Sequence, residues 1–206
     1  MLPYVPGSCR RLLEVGCGIG RFGEKLKQTR NIEVWGVEPL ASAAQIAATK
    51  LDHVTTGLFD PQAGLPEATF DCIVFNDVLE HMVGPEKALR YARKLLSPGG
   101  TIVASIPNVR HIAVIWQLAV NGRWDYADWG LLDRTHLHFF TKSNIVEMFK
   151  SEGYAIERIS GINAFVGNPG LDRTVWRMYR VVNAMFFGKL GDMAFNQFAV
   201  VAKLVD

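Results

Sequence analysis

Short apolar runs alternate with amphipathic stretches through the first half of the chain. Leu12 to Val15, Glu33 to Val37, His53 to Thr56, Phe70 to Phe75 and Thr101 to Ile106 read as strands, being short, rich in β-branched residues and bounded by turn formers. Helices are expected between them. The clearest begins at Pro85, a residue preorganised for a first helical turn, and puts Ala88, Leu89, Ala92, Leu95 and Leu96 on one face before Ser97-Pro98-Gly99-Gly100 stops it. Strand, helix, strand at this spacing implies right-handed crossovers and a parallel sheet covered on both faces.

After Pro107 the rhythm breaks. Residues 108 to 140 carry Trp116, Trp124 and Trp129 and a polar cluster from Leu132 to Phe140. Thr141 then reads as the N-cap of a helix that carries Ile145, Met148 and Phe149 inward and ends at Gly153. Tyr154 to Ile159 and Phe195 to Leu204 read as the last two strands. Between them Leu171, Val175, Met178, Val182 and Met185 recur at helical spacing, with Arg173, Arg177 and Arg180 on another face. This 171–187 stripe is expected to cover the core or to form a homodimer contact, with a membrane-surface role as the lesser reading. The chain is thus expected to be one α/β domain over residues 1–206, with insertions at about 107–140 and 160–193.

Composition narrows the class. With 206 residues, 49% hydrophobic and 20% charged, the chain is long enough to bury a sizeable core. A net charge of +2 gives no broad basic field, so nucleic acid is not expected as a partner. Cys9, Cys17 and Cys72 lack CxxC spacing and do not suggest disulfides or zinc. No apolar run approaches a bilayer span and no signal-peptide core opens the chain, so a cytoplasmic location is expected.

The most informative segment is Glu14-Val15-Gly16-Cys17-Gly18-Ile19-Gly20, at the turn from the first strand into the first helix. Glycines there let backbone approach a ligand and aim helix N-terminal amides at it. The overlapping Gly18-Ile19-Gly20-Arg21-Phe22-Gly23 also spells the GxGxxG of dinucleotide binders, and Glu38 lies where a carboxylate would accept ribose hydroxyls in either case. Charge separates the two: a pyrophosphate would be repelled by Glu14, whereas a ligand bearing an ammonium and a sulfonium would be welcomed. The alternative, a glutamate that only caps the turn, stays open.

These residues resemble the class I S-adenosylmethionine-dependent methyltransferases. Glu14 to Gly20 is similar to that family's first motif, Glu38 to its ribose-binding acid, and Phe59-Asp60 to the pair beside the adenine. Asn76-Asp77-Val78-Leu79-Glu80-His81 resembles the motif after the fourth strand, and Leu96 to Gly100 the turn before the fifth. Gly130 to Leu137 followed by Phe139-Phe140-Thr141 resembles one methyltransferase-domain subfamily. The resemblance implies a Rossmann-like, doubly wound, mostly parallel seven-stranded sheet with an antiparallel last strand. It implies S-adenosylmethionine as cofactor, with Gly16, Cys17, Gly18 and Gly20 shaping the loop, Glu14 at the amino-acid end, Glu38 and Pro39 at the ribose, Phe59 and Asp60 near adenine, and Asn76, Asp77 and Val78 flanking it. The two insertions are then the segments available to close the site.

Methyl transfer from a sulfonium is an in-line displacement by an acceptor atom held roughly 3 Å from the methyl carbon; a hydroxyl acceptor must also lose its proton. Histidines are the candidate bases. Asp133 and His136 are expected to pair as orienting carboxylate and base, unless they form a hydrogen-bonded knot anchoring the insertion. His81 is expected to line the acceptor pocket or to cap the following helix. His136 and His138 would share one face if their segment is extended, His53 reads as structural or exposed, and His111 has only its place after the fifth strand in its favour. A metal site built from His136, His138 and Asp133 is not expected, since such spacing is common by chance. The fourth-strand motif lacks the Asn/Asp-Pro-Pro-aromatic signature of enzymes that methylate exocyclic or amide nitrogens; with the available histidines, this makes a small-molecule acceptor methylated at oxygen the expectation. Two rivals remain open: a nicotinamide-dependent oxidoreductase and a non-catalytic S-adenosylmethionine-binding interaction module.

Overall fold

The computed structural model describes residues 1–164, 177 and 179–205. Seven strands form one sheet: β1 (Arg11–Val15), β2 (Glu33–Glu38), β3 (His53–Thr56), β4 (Phe70–Asn76), β5 (Leu96–Pro107), β6 (Tyr154–Ala164) and β7 (Phe195–Leu204), in the order β3-β2-β1-β4-β5-β7-β6. Strands β1 to β5 pair in parallel, whereas β7 runs antiparallel to both β5 and β6. This is the doubly wound arrangement expected, with its last strand reversed. Helices α1 (Arg21–Thr29), α2 (Ala41–Ala47), α3 (Pro85–Leu95), α4 (Ile112–Asn121) and α5 (Lys142–Ser151) complete it.

Periodicity explains the core. Leu13, Val15, Ile73 and Phe75 alternate along β1 and β4 toward one layer, where they meet Ala88, Leu89, Ala92 and Leu95 of α3 and Ile145, Met148 and Phe149 of α5. Leu12, Cys72 and Val74 face the opposite layer with Leu26 of α1 and Ala47 of α2. The Thr141 hydroxyl caps α5 as expected, accepting from the Asn144 amide at 3.3 Å. The buried Tyr154 hydroxyl donates to the Leu89 carbonyl at 2.8 Å, tying the start of β6 to α3.

Two boundaries and one shared face differ from the sequence reading. Helix α3 passes directly into β5, because Leu96 turns extended and pairs with Phe70, and the Ser97 to Gly100 turn bulges out before pairing resumes at Cys72 and Thr101. Strand β6 continues past Ile159 to Ala164, because antiparallel pairing with β7 persists as far as Ala164 opposite Phe195. His136 and His138 do not share a strand face: residues 134 to 139 are irregular, and His138 instead lies beside the Phe140 ring at 5.9 Å. Of the stripe at 171–187, Leu171, Arg173, Val175 and Met178 lie outside the described residues, while Val182 and Met185 are exposed. Cys9, Cys17 and Cys72 are buried free thiols. Among the described residues no helix is long and apolar enough to cross a membrane.

Candidate active site

In this sheet the strand order reverses between β1 and β4, so their carboxyl ends leave a crevice where open α/β folds bind ligands. Gly16 opens the loop after β1 at φ 67°, and a β-carbon there would lie 2.7 Å from Val78 Cγ2. Only glycine lets the backbone pass that close. The Gly16 and Cys17 amides bond to the Val37 carbonyl, and Gly20 begins α1 with φ 75°. The Glu38 carboxylate, nearly buried, accepts from the Gly18 amide at 2.8 Å through one oxygen and from Leu40 at 3.0 Å through the other. Each oxygen keeps a lone pair for a further donor.

A cavity of about 620 Å³ follows this loop, lined by Val15, Gly16, Glu38, Pro39, Phe59, Asp60, Asp77 and Val78, with Tyr91 and Lys87 on the far wall. Three carboxylates (Glu38, Asp60 and Asp77) stand here against the single ammonium of Lys87. That balance suits a cation-bearing nucleoside better than a diphosphate. Asp60 is also the cap of the short turn Pro61–Ala63, accepting from the Gln62 amide at 2.8 Å.

Glu14 takes a different place from the one expected. Its carboxylate lies beneath the loop, buried, where it accepts from the Gly23 amide at 3.2 Å and bonds the Asn76 side chain. It is not among the residues lining the cavity, and neither are Cys17 and Asn76. The Cys17 thiol turns inward against Gly36. Burial pushes Glu14 from 4.5 up to about 8, with the Gly23 and Asn76 hydrogen bonds pulling it down. The acidity of the cleft therefore comes from side chains other than Glu14. A folded-state pKa above the unfolded one means that this group's contribution to stability is full below pH 4.5 and is lost as pH rises through about 8. The melting temperature of the unliganded protein is expected to fall across that window, and Glu14→Gln to flatten the fall. Parallel melting curves for the two proteins would contradict it.

A second cavity, about 550 Å³, adjoins the first: Asp77 and His81 line both. Its other walls include Glu80 and Pro107, Trp129 and Leu131 from the insertion, and Asn163 and Gln197 from β6 and β7. Asp77 directly follows β4 with φ 54°, a strained value for a residue other than glycine, and is held there by Ser105 Oγ at 3.0 Å and Gln197 Nε2 at 2.6 Å. Burial raises its pKa, opposed by those two hydrogen bonds.

The insertion is fastened to the turn Leu79–His81 by the Glu80 carbonyl, which accepts from the Leu137 amide at 2.8 Å and the His138 amide at 3.1 Å. This brings His136 and His81 together, with ring centroids 4.7 Å apart. Asp133 is half-buried, and its carboxylate does not reach the His136 ring as expected; only its backbone carbonyl meets His136, accepting from the His136 amide at 3.1 Å. Asp133 Oδ1 accepts from the Thr135 amide and hydroxyl, both at 2.7 Å, because a carboxylate two residues ahead closes this local turn without reaching the ring. Those two bonds hold Asp133 below the usual carboxylate range. The Thr135 hydroxyl in turn lies 3.0 Å from His81 Nδ1, and the Thr135 carbonyl 3.3 Å. A carbonyl can only accept, and the hydroxyl's one proton is directed to Asp133. His81 therefore carries its proton on Nδ1 and a lone pair on Nε2. The relay runs Asp133, Thr135, His81.

Sequence reasoning gave Glu80 and Thr135 no role. Glu80 is 1% exposed, its carboxylate meets no donor from another described residue, and burial pushes it from 4.5 up to about 8 against the pull of its own backbone amide. The only signal was its charge beside the buried Leu79. His136 is nearly buried, its pKa lowered first by desolvation and then by His81. His111 caps α4, accepting from the Ala113 amide at 3.3 Å, and His53 lies against Trp35 with centroids 4.0 Å apart. Neither lines the two cavities. A third cavity, about 360 Å³, opens at the opposite end of the sheet around Asp71 and Thr101, away from these groups.

Comparison with known proteins agrees with this geometry. A family model described as a methyltransferase domain matches residues 2–159. An uncharacterized methyltransferase of Anoxybacillus flavithermus is 32% identical over 162 residues, covering 75% of this chain and 74% of that protein. A ubiquinone biosynthesis O-methyltransferase of Chromobacterium violaceum is 28% identical over 162 residues, covering 74% and 68%. In fold, the chain is similar to a SAM-dependent methyltransferase from Archaeoglobus fulgidus, with TM-score 0.68 and 21% identity over 98% of this chain and 89% of that one. These matches favour S-adenosylmethionine over the nicotinamide reading, as does the acidic balance of the cleft. The chain belongs to the methyltransferase-domain family and is an S-adenosylmethionine-dependent methyltransferase.

Proposed function

We propose that this enzyme transfers a methyl group to an oxygen of a small molecule seated in the 550 Å³ cavity. The observation that carries the reading is the shared wall: Asp77 and His81 border the cofactor cleft on one side and the acceptor cavity on the other. A group bound in either cavity is then adjacent to the other. The cofactor, when bound, supplies a methyl group already activated by its positive sulfur, so the protein's remaining work is placement and management of one proton. Glu38, Asp60 and Val78 hold and bound the nucleoside side. His81, fixed by Thr135 and Asp133, presents its Nε2 lone pair where a hydroxyl must give up a proton. As the oxygen's electron pair forms the new bond to carbon, the carbon–sulfur bond breaks with its pair going to sulfur. The hydroxyl proton passes to the waiting base. Trp129 and Leu131 supply an apolar wall suited to a ring-bearing acceptor.

The oxygen preference is supported by the O-methyltransferase named among the relatives and by the histidines on this wall. The three unpaired cysteines support a reducing, cytoplasmic setting. Labelled-methyl transfer from the donor to a panel of phenols, aliphatic alcohols, amines and carbon acids tests the reading. Label in a methyl ether is expected. Label confined to amines or carbon would end the oxygen assignment, and label confined to macromolecules would end the small-molecule one.

A further inference from the structure

We propose that Glu80, His81 and His136 form a binding site for a divalent transition-metal ion on the wall of the acceptor cavity. One potential ligand atom from each of the three side chains lies within 4.8 Å of the others, and all three residues line the cavity. The sequence pairing of His136 with His138 and Asp133 misses this set, because Glu80 and His81 come from the turn after β4 and His136 from the insertion, more than fifty residues later.

Two observations point to a cation rather than to a structural knot. In a knot, these polar atoms would be hydrogen-bonded to one another or to backbone. Instead, His136 Nδ1 is buried without a hydrogen-bond partner among the described residues, and the buried Glu80 carboxylate meets no donor from another described residue. Such orphaned groups are costly to bury and rare without a reason.

The histidines are also set up as ligands. His81 gives its Nδ1 proton to Thr135, which leaves Nε2 bare. His136 bonds the Leu131 carbonyl, and because its Nδ1 has no partner that bond runs through Nε2, leaving Nδ1 bare. Metal-binding imidazoles characteristically donate their other N–H in this way, which fixes ring orientation and tautomer.

The donor set has a chemical preference as well. Two imidazoles and one carboxylate suit Zn²⁺ and its first-row neighbours better than Mg²⁺ or Ca²⁺, and three protein ligands leave a position open on the cavity side. Bonds of about 2.0–2.2 Å would bring the ligand atoms to roughly 3–4 Å from one another, so the three side chains draw together on binding.

The site's role, though not its existence, rests on the oxygen-methylation reading. With the imidazole lone pairs engaged, the cation takes over the task given above to His81: a hydroxyl reaching the open position is acidified and its proton leaves to water. The bonds made and broken at carbon and sulfur are unchanged.

The test uses the full chain, stripped by a chelator, dialysed and titrated with Co²⁺ under visible absorption, then with Zn²⁺ in competition. One ion per chain is expected, with the intense ligand-field bands of a low-coordinate site. Glu80→Gln and His136→Asn should each weaken Co²⁺ binding by at least about tenfold, the order lost when even an outer-shell partner of a metal site is removed. His53→Ala, outside both cavities, should bind as the parent does. Circular dichroism and affinity for S-adenosylhomocysteine should be retained in the two ligand variants, which separates loss of the site from loss of the fold. Absence of saturable Co²⁺ binding, or equal binding by the parent and both variants, overturns the site. Stoichiometric binding accompanied by methylation of amines alone would leave the site standing and end the oxygen reading. Hydroxyl methylation by a chain that binds no Co²⁺ would do the reverse.

Discussion

His81→Ala is expected to lower the rate of methyl transfer by about 10²–10⁴-fold, the range over which a positioned proton-handling group acts, while affinity for S-adenosylhomocysteine stays within about twofold. The asymmetry follows from placement. His81 borders both cavities, yet the nucleoside end of the cleft is built by Glu38, Phe59 and Asp60, which alanine at 81 leaves intact. Thr135→Val supplies the matched control. It removes the hydroxyl that lies 3.0 Å from His81 Nδ1 and donates to Asp133, but keeps the carbonyl that also faces Nδ1, so a smaller loss in turnover is expected. Steady-state rates with saturating donor, alongside calorimetry, separate the two quantities. Turnover unchanged in His81→Ala would remove this residue from the chemistry, and an equal fall in cofactor affinity would make its role structural.

Glu38→Ala is expected to have the complementary effect, weakening cofactor binding by about 10²-fold, or roughly 3 kcal/mol, with hydrogen bonds to a charged group worth about 1.5–3 kcal/mol each. One Glu38 oxygen holds the Gly18 amide and the other the Leu40 amide, so the loop after β1 and the turn into α2 lose a common anchor as the ribose loses its acceptor. Glu38→Gln should fall between the two, since an amide accepts through its oxygen but turns a donor toward the second N–H. Calorimetric titration with S-adenosylhomocysteine reads both. An unaltered dissociation constant for Glu38→Ala would mean that the loop is held by other contacts.

The first half of the fold is legible in the sequence because its signals are local. Strands β1 to β4 are short β-branched runs closed by turn residues, and α3 carries a clean apolar stripe between Pro85 and Ser97. Helix α4 left no such signal: from Ile112 to Val120 it is apolar apart from Gln117, with Trp116, Leu118 and Val120 exposed and Val114 its one buried residue, so no face stands out. The glycine loop was readable for the same reason as the strands, since backbone geometry dictates residue type at each step. Glu14 was not. Its type says that a carboxylate sits at the end of β1, but whether it points into the cleft or under the loop depends on Gly23 and Asn76, which local pattern does not reveal. The acceptor side was the least readable, because Glu80, His81, Thr135 and His136 meet only when the insertion folds back onto the turn after β4.

The division of labour between the two cavities has an evolutionary consequence. Every residue lining the 620 Å³ cleft precedes Ser97, whereas the 550 Å³ cavity takes much of its wall from beyond Pro107: from β6 and β7, and from an insertion fastened to the turn after β4 by the Glu80 carbonyl and the Thr135–His81 contact. Drift or recombination in that later stretch can retarget the enzyme to a new acceptor without disturbing how it recognises its donor. Lineages with this architecture should therefore diversify in what they modify faster than in what they spend to modify it.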